Sequence, residues 1–286
     1  MKKTLTLVLL GVLAVVLLGY GITSSLDSGS PTIDSGEISD FYETEKTTES
    51  EKSTTEKSNG FFGNKTTEPS TEETTTSAPE IIEDYKYAYA GFMPAYADMN
   101  VSDWRMILVN RDYILPDGYM PTLERAVEDS YSDVKLDYRV APYYNEMYQA
   151  ALEDGIELVP ISGYRSVERQ TNNFENKIQK YINDGYSKIE ATQMAATIIL
   201  PPGTSEHNAG LAMDICSLYE SFENTEEFEW LSENAADYGF ILRYPEDKQD
   251  ITKIVYEPWH WRYVGVEAAK AMKASGQCLE EYLGVS

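Results

Sequence analysis

The chain has 286 residues, and its 48 acidic against 23 basic side chains give a formal net charge of −25. Such an acid surplus argues against nucleic acid as a partner and disfavours anionic membrane surfaces, because phosphates demand lysine and arginine. Two cysteines, Cys216 and Cys278, allow one bridge at most, which excludes a disulfide framework and leaves their pairing open.

Lys2 and Lys3 precede an uncharged apolar run at 4–22. Its 19 residues at 1.5 Å each make roughly 28 Å of helix, enough to span a bilayer. Residues 1–22 therefore read as a signal anchor, with a cleaved signal peptide as the alternative. The small-residue cleavage pattern is weak, which favours the anchor, and the two lysines place the rest of the chain outside the cytoplasm. Residues 23–84 are rich in Ser, Thr and Glu; between 23 and 80 there are 13 acidic residues, 4 lysines and almost nothing to bury. Such a segment cannot offset its ordering entropy and reads as a disordered, self-repelling tether. The folded domain is expected over 85–286.

Within that domain, residues 106–110 predict a strand, followed by a loop through Pro116 and Gly118. Residues 140–154 have helical spacing, with Met147 and Ala151 on one side and Gly155 as the stop. A strand at 156–161 leads into Ser166, the N-cap of a helix through Arg169, Phe174, Ile178 and Ile182. A second helix at 188–199 is broken by Pro201, Pro202 and Gly203. A strand at 211–215, a helix at 225–238 stopped by Gly239, strands at 240–242 and 260–264, and a helix at 266–274 complete the order. Strands interleaved with helices, without a Gly-rich phosphate loop, predict an α+β fold rather than a nucleotide-binding one.

The chemistry concentrates in two segments. In Ser205-Glu206-His207-Asn208-Ala209-Gly210-Leu211-Ala212-Met213-Asp214, an imidazole and a carboxylate stand seven residues apart, and Gly210 supplies a bend that lets both converge on one zinc ion. The second segment is Glu257-Pro258-Trp259-His260-Trp261-Arg262-Tyr263-Val264-Gly265. The chain has only two histidines, and each lies in one of these segments. A His207, Asp214 and His260 set leaves a fourth tetrahedral position for water, as in catalytic zinc sites. Glu257 is then a candidate base for that water. On a regular strand positions 257 and 260 face opposite ways, so Pro258 must break the regularity for both to reach one site. Arg165 lies at a strand-to-helix junction, where functional side chains commonly project. Trp259, Trp261 and Tyr263 read as shaping the pocket or, by default, as support behind the ligands.

The pattern S-x-H-x-x-G-x-A-x-D followed by E-P-W-H-x-R-Y-V-G resembles the zinc D-alanyl-D-alanine carboxypeptidases of the VanY kind, over roughly residues 100–286. The resemblance implies the fold shared with D-Ala-D-Ala dipeptidases and the hedgehog signalling domain, a small antiparallel sheet flanked by helices. It implies Zn2+ held by His207, Asp214 and His260, with Glu257 as the catalytic base. It also implies that Arg165 and Gln170, in the Tyr164-Arg165-Ser166 and Gln170 pattern, and Ser205 bind substrate, Arg165 donating to a terminal carboxylate or an oxyanion. The implied activity is removal of the last D-alanine from peptidoglycan stem peptides. L,D-carboxypeptidase action on tetrapeptide stems and a non-catalytic zinc-stabilised cell-wall-binding module are the alternatives. Sequence leaves the oligomeric state open.

Overall fold

The computed structural model describes residues 80–128 and 132–285. The anchor reading at 1–22 and the tether reading up to residue 79 lie outside the described residues. Among the described residues no helix is long and apolar enough to cross a membrane. Backbone pairing begins before residue 85: Ile81 bridges Ala95, and the Ile82 N–H donates to the Pro94 carbonyl.

The strands are β1 (Ala95–Tyr96), β2 (Tyr113–Ile114), β3 (Leu123–Arg125), β4 (Lys135–Asp137), β5 (Pro160–Ser162), β6 (Ala212–Ile215), β7 (Phe240–Leu242) and β8 (His260–Tyr263). β1 and β2 pair in parallel, and β3 pairs antiparallel with β4. The central sheet is antiparallel throughout, in the order β5-β6-β8-β7. Its helices are α1 (Ala141–Glu153), α2 (Val167–Asn183), α3 (Lys188–Ala195), α4 (Glu206–Ala209), α5 (Glu226–Asn234), α6 (Gln249–Thr252), α7 (Val266–Ser275) and α8 (Leu279–Leu283). The α+β class expected from the sequence is the one observed.

Periodicity and caps explain the helices. α1 buries Ala141, Tyr144, Met147 and Ala151, a helical stripe, and Gly155 follows it in the left-handed region at φ +86°. In α2 the Ser166 hydroxyl accepts from the Arg169 N–H, and Phe174, Ile178 and Tyr181 face inward. Thr225 caps α5 by accepting from the Phe228 N–H. α7 and α8 close over β7 through Ile241, Val264, Ala269, Met272 and Leu279. Burying each of the larger side chains among these stabilises by about 1.5–3 kcal/mol.

Several boundaries differ from the expected ones. Residues 106–110 are not a strand, because Asp103 caps a 3-10 turn at Trp104–Met106 and clamps the Arg105 guanidinium. Of that run only Asn110 pairs, in a bridge to Tyr113. The strand expected at 156–161 begins only at Pro160, and the helix at 188–199 stops at Ala195. The β3 and β4 hairpin and α8 were not anticipated. Both cysteines are free; Cys278 is buried, whereas Cys216 is half-buried and adopts φ +62°.

Candidate metal centre

The site is built on α4, β6 and β8. Ser205 caps α4, its hydroxyl accepting from the His207 N–H at 3.3 Å. The helix lasts one turn because Gly210 takes the left-handed conformation, φ +69°. A Cβ there would meet the Asp137 backbone nitrogen at 2.8 Å, so the bend requires glycine. β6 then runs back beneath the helix, and His207 Nε2 lies 3.3 Å from Asp214 Oδ2.

β8 supplies the remaining histidine. Asp214 and His260 are directly opposite in the β6 and β8 ladder, and His260 Nδ1 lies 3.2 Å from Asp214 Oδ1. The two imidazole centroids are 4.8 Å apart at 81°. Glu257 precedes the strand in a tight turn, closed by the His260 N–H donating to the Glu257 carbonyl. That turn lets residues 257 and 260 face one place, and Glu257 Oε2 lies 3.5 Å from His260 Nδ1.

These groups fit a cation. His207, Asp214 and His260 offer ligand atoms within 4.8 Å of one another, all buried. Asp214 Oδ1 is buried yet accepts no hydrogen bond, an arrangement that is costly unless a positive group faces it. His207 Nδ1 sits 2.7 Å from the Gly163 carbonyl, which places its proton on Nδ1 and its lone pair on Nε2, toward Asp214. Burial, with Arg165 nearby, lowers the His207 pKa and keeps the ring in its neutral, ligating form. Two nitrogens and one carboxylate oxygen are the donor set of a three-ligand zinc site.

The cleft over this cluster is lined by Arg165, Gln170, Ser205, Tyr244, Glu257 and Trp259 among others. Arg165 is held to α4, its N–H donating to the His207 carbonyl and its own carbonyl accepting from Asn208 Nδ2. Its guanidinium donates to Gln170 Oε1 at 3.0 Å and to the Ser162 hydroxyl at 2.9 Å, 3.7 Å from Asp214 Oδ2. Gln170 also donates to the Leu200 carbonyl, so it braces Arg165 as well as lining the cleft. Trp259 reaches the cleft, whereas Trp261 turns its indole N–H to the Pro258 carbonyl and Tyr263 stacks on Tyr143 away from it.

Known proteins share this arrangement of sequence. A family model described as VanY, D-alanyl-D-alanine carboxypeptidase, matches residues 133–266. The bifunctional D-Ala-D-Ala dipeptidase and D-Ala-D-Ala carboxypeptidase VanXYC of Enterococcus gallinarum is 34% identical over 184 residues, 61% of this chain and 91% of that protein. The chain belongs to the VanY family. A D-alanyl-D-alanine carboxypeptidase of Enterococcus faecalis is 41% identical over 181 residues, 63% of this chain; the match spans 66% of that relative's own length. VanYB in complex with D-alanine-D-alanine superposes with a TM-score of 0.57 at 41% identity, covering 64% of this chain and 99% of the other. A mutant VanY from a VanB-type resistance cassette, in complex with Zn(II), superposes at 0.56 with 42% identity over 63% and 99%.

The VanY motifs conceal a second layer that sequence reasoning missed. Glu206, between Ser205 and His207, is fully buried and paired with Arg243 and Arg262 at 2.6 and 2.8 Å. Arg243 also donates twice to Glu280, at 2.6 and 2.9 Å, and Asn110 donates to Glu280 at 3.1 Å. Tyr244 packs its ring 4.8 Å from that of His260. The available signal was period two: with His260 pointing to the site, Arg262 falls on the same buried face of β8.

Proposed function

We propose that the chain is a zinc D,D-carboxypeptidase that removes the C-terminal D-alanine from peptidoglycan stem peptides. The observation that carries this reading is the convergence of His207, Asp214 and His260 beside Glu257 in one cleft that also holds a guanidinium. Its VanY relatives bear the same activity in their names.

His207, Asp214 and His260 hold the ion. Bound zinc lowers the pKa of a water ligand toward 7 and polarises a carbonyl. Glu257 takes the proton from the attacking water and delivers it to the departing D-alanine nitrogen. Burial, reinforced by the Asp214 and Glu206 carboxylates, pushes the Glu257 pKa up to about 8 despite the opposing pull of His260. With a divalent cation held by the three ligands that value is pulled down again, leaving the carboxylate ionised to accept the water proton. Arg165, fixed by Gln170 and Ser162, supplies the cation that reads a free C-terminal carboxylate or steadies the tetrahedral oxyanion. Gln170 and Ser205 present polar groups to the peptide from the same wall.

The apolar run at 4–22 and the acidic stretch to residue 79 support a further part of this reading: a membrane anchor and a tether that hold the domain on the outer face of the membrane, within reach of the wall. Fractionation of intact cells tests it; a soluble, shortened chain would replace the anchor with a cleaved signal peptide. For the activity, defined muropeptides are incubated with and without a chelator and the products weighed. Chelator-sensitive loss of one alanine from pentapeptide stems is expected. Loss of alanine from tetrapeptide stems alone would make the enzyme an L,D-carboxypeptidase, and no release would leave a binding module.

A further inference from the structure

We propose that Glu206 is a positioning residue for the metal centre, fixing the tautomer of His260 so that Nδ1 rather than Nε2 meets the cation. The proposal rests on the zinc reading above. Glu206 Oε1 accepts from Arg243 Nε at 2.6 Å and from Arg262 Nη1 at 2.8 Å, which locks the carboxylate in one orientation. Its other oxygen, Oε2, lies 3.3 Å from His260 Nε2. An ionised carboxylate can only accept, so the proton of a neutral His260 stands on Nε2. The lone pair is left on Nδ1, the nitrogen that faces Asp214 and Glu257.

The two ligand rings are thus oriented in opposite senses by different partners. His207 gives its Nδ1 proton to a carbonyl, and His260 gives its Nε2 proton to Glu206. One turn of helix provides both a ligand and the orienting group of the other ligand, because Glu206 and His207 are neighbours in α4. The arginines are themselves fixed. Arg243 is forked onto Glu280, and Arg262 donates to the carbonyls of Arg105, Ile107 and Tyr263. Glu206, Glu280, Arg243 and Arg262 form a buried set with no net charge, which lets a carboxylate sit behind the imidazole without an uncompensated buried ion.

Glu206→Gln makes a sharp test. The two guanidiniums demand an acceptor, so the amide oxygen turns to them and the NH2 group faces His260 Nε2. That reverses the demand on the ring: Nε2 must accept, and the proton moves to Nδ1. Zinc affinity, measured by chelator competition, should fall by about 10-fold to 100-fold, the usual worth of a group behind a metal ligand. The visible spectrum of the cobalt-substituted protein should shift with it. Glu280→Gln removes the same charge from the same network without touching His260, and should lower the melting temperature of the metal-free protein while zinc affinity stays near wild type. Wild-type zinc affinity in E206Q, or equal affinity losses in both variants tracking equal losses of melting temperature, would overturn the proposal.

If E206Q does not fold, nitrogen-15 histidine spectra of the zinc-loaded wild type decide, since the chain has just two imidazoles. Metal at Nδ1 of one ring and Nε2 of the other is expected; both rings bound through Nε2 would refute it. Failure of wild-type protein to bind zinc would instead overturn the zinc reading, independently of Glu206.

Discussion

Asp214 and His260 face each other across the β6 and β8 ladder, and the carboxylate of Asp214 divides itself between two imidazoles, Oδ2 toward His207 and Oδ1 toward His260. Antiparallel register therefore does for these two residues what sequence spacing could not. The expected consequence is that no one of the three ligands can be spared. His207→Ala and Asp214→Asn should each lose stoichiometric zinc in the purified protein, read by elemental analysis. Retention of one zinc per chain in either variant would remove that residue from the centre.

Glu257 stands beside the ligands without belonging to them. Glu257→Ala should keep zinc and the melting temperature but lower turnover of a pentapeptide stem by roughly 10²-fold to 10⁴-fold, the usual contribution of a general base. Zinc content and alanine release are measured on the same preparation. Turnover at the wild-type rate would show that proton transfer passes through another group.

The ligands were legible in the sequence because their chemistry is rare in it. Two histidines, each in a segment marked by acid and glycine, leave few alternatives, and Gly210 announces the bend that joins helix to strand. Glu206 was not legible, since a glutamate beside a histidine ordinarily faces solvent and only the strand carrying Arg262 and the turn after β7 bring its two partners to it. The residues around 106 were misread for a related reason. Ile107 and Val109 look like a strand interior, but Asp103 and Arg105 satisfy each other locally, and Arg262 takes the carbonyls that a neighbouring strand would have used. The β3 and β4 pair escaped because its strands are three residues long, and β3 buries nothing fully, so no alternation marks it.

The buried carboxylates also set the acid stability. Burial works against the charge of Glu280, but the two hydrogen bonds from Arg243 and one from Asn110 more than offset it and hold its pKa below the ordinary value of 4.5. A group with a lowered folded pKa contributes stability above its unfolded pKa and loses it as pH falls through the folded one. Glu280→Gln should therefore cost more stability at about pH 7 than at about pH 3.5. Urea unfolding in the presence of chelator, which removes metal linkage, reads the difference. A gap that is the same at both pH values would mean that the Arg243 and Glu280 pair carries no pH-dependent stability.

Gly210 and Gly276 adopt the same left-handed φ of +69°, yet only one of them is crowded. A Cβ at Gly276 would meet nothing within 4 Å, whereas at Gly210 it would press on the Asp137 backbone nitrogen, whose N–H donates to the Gly210 carbonyl. Each alanine variant should lose about 1–2 kcal/mol for the left-handed conformation alone. Gly210→Ala should lose more, because relieving the contact breaks the bond between this bend and β4. It should also bind zinc more weakly, since the bend sets the distance between His207 and Asp214. Gly276→Ala, at the end of α7, should leave zinc affinity unchanged. Denaturant midpoints and chelator competition on the two variants separate conformational strain from steric crowding, and equal values for both would show that the approach of Asp137 does not constrain the bend.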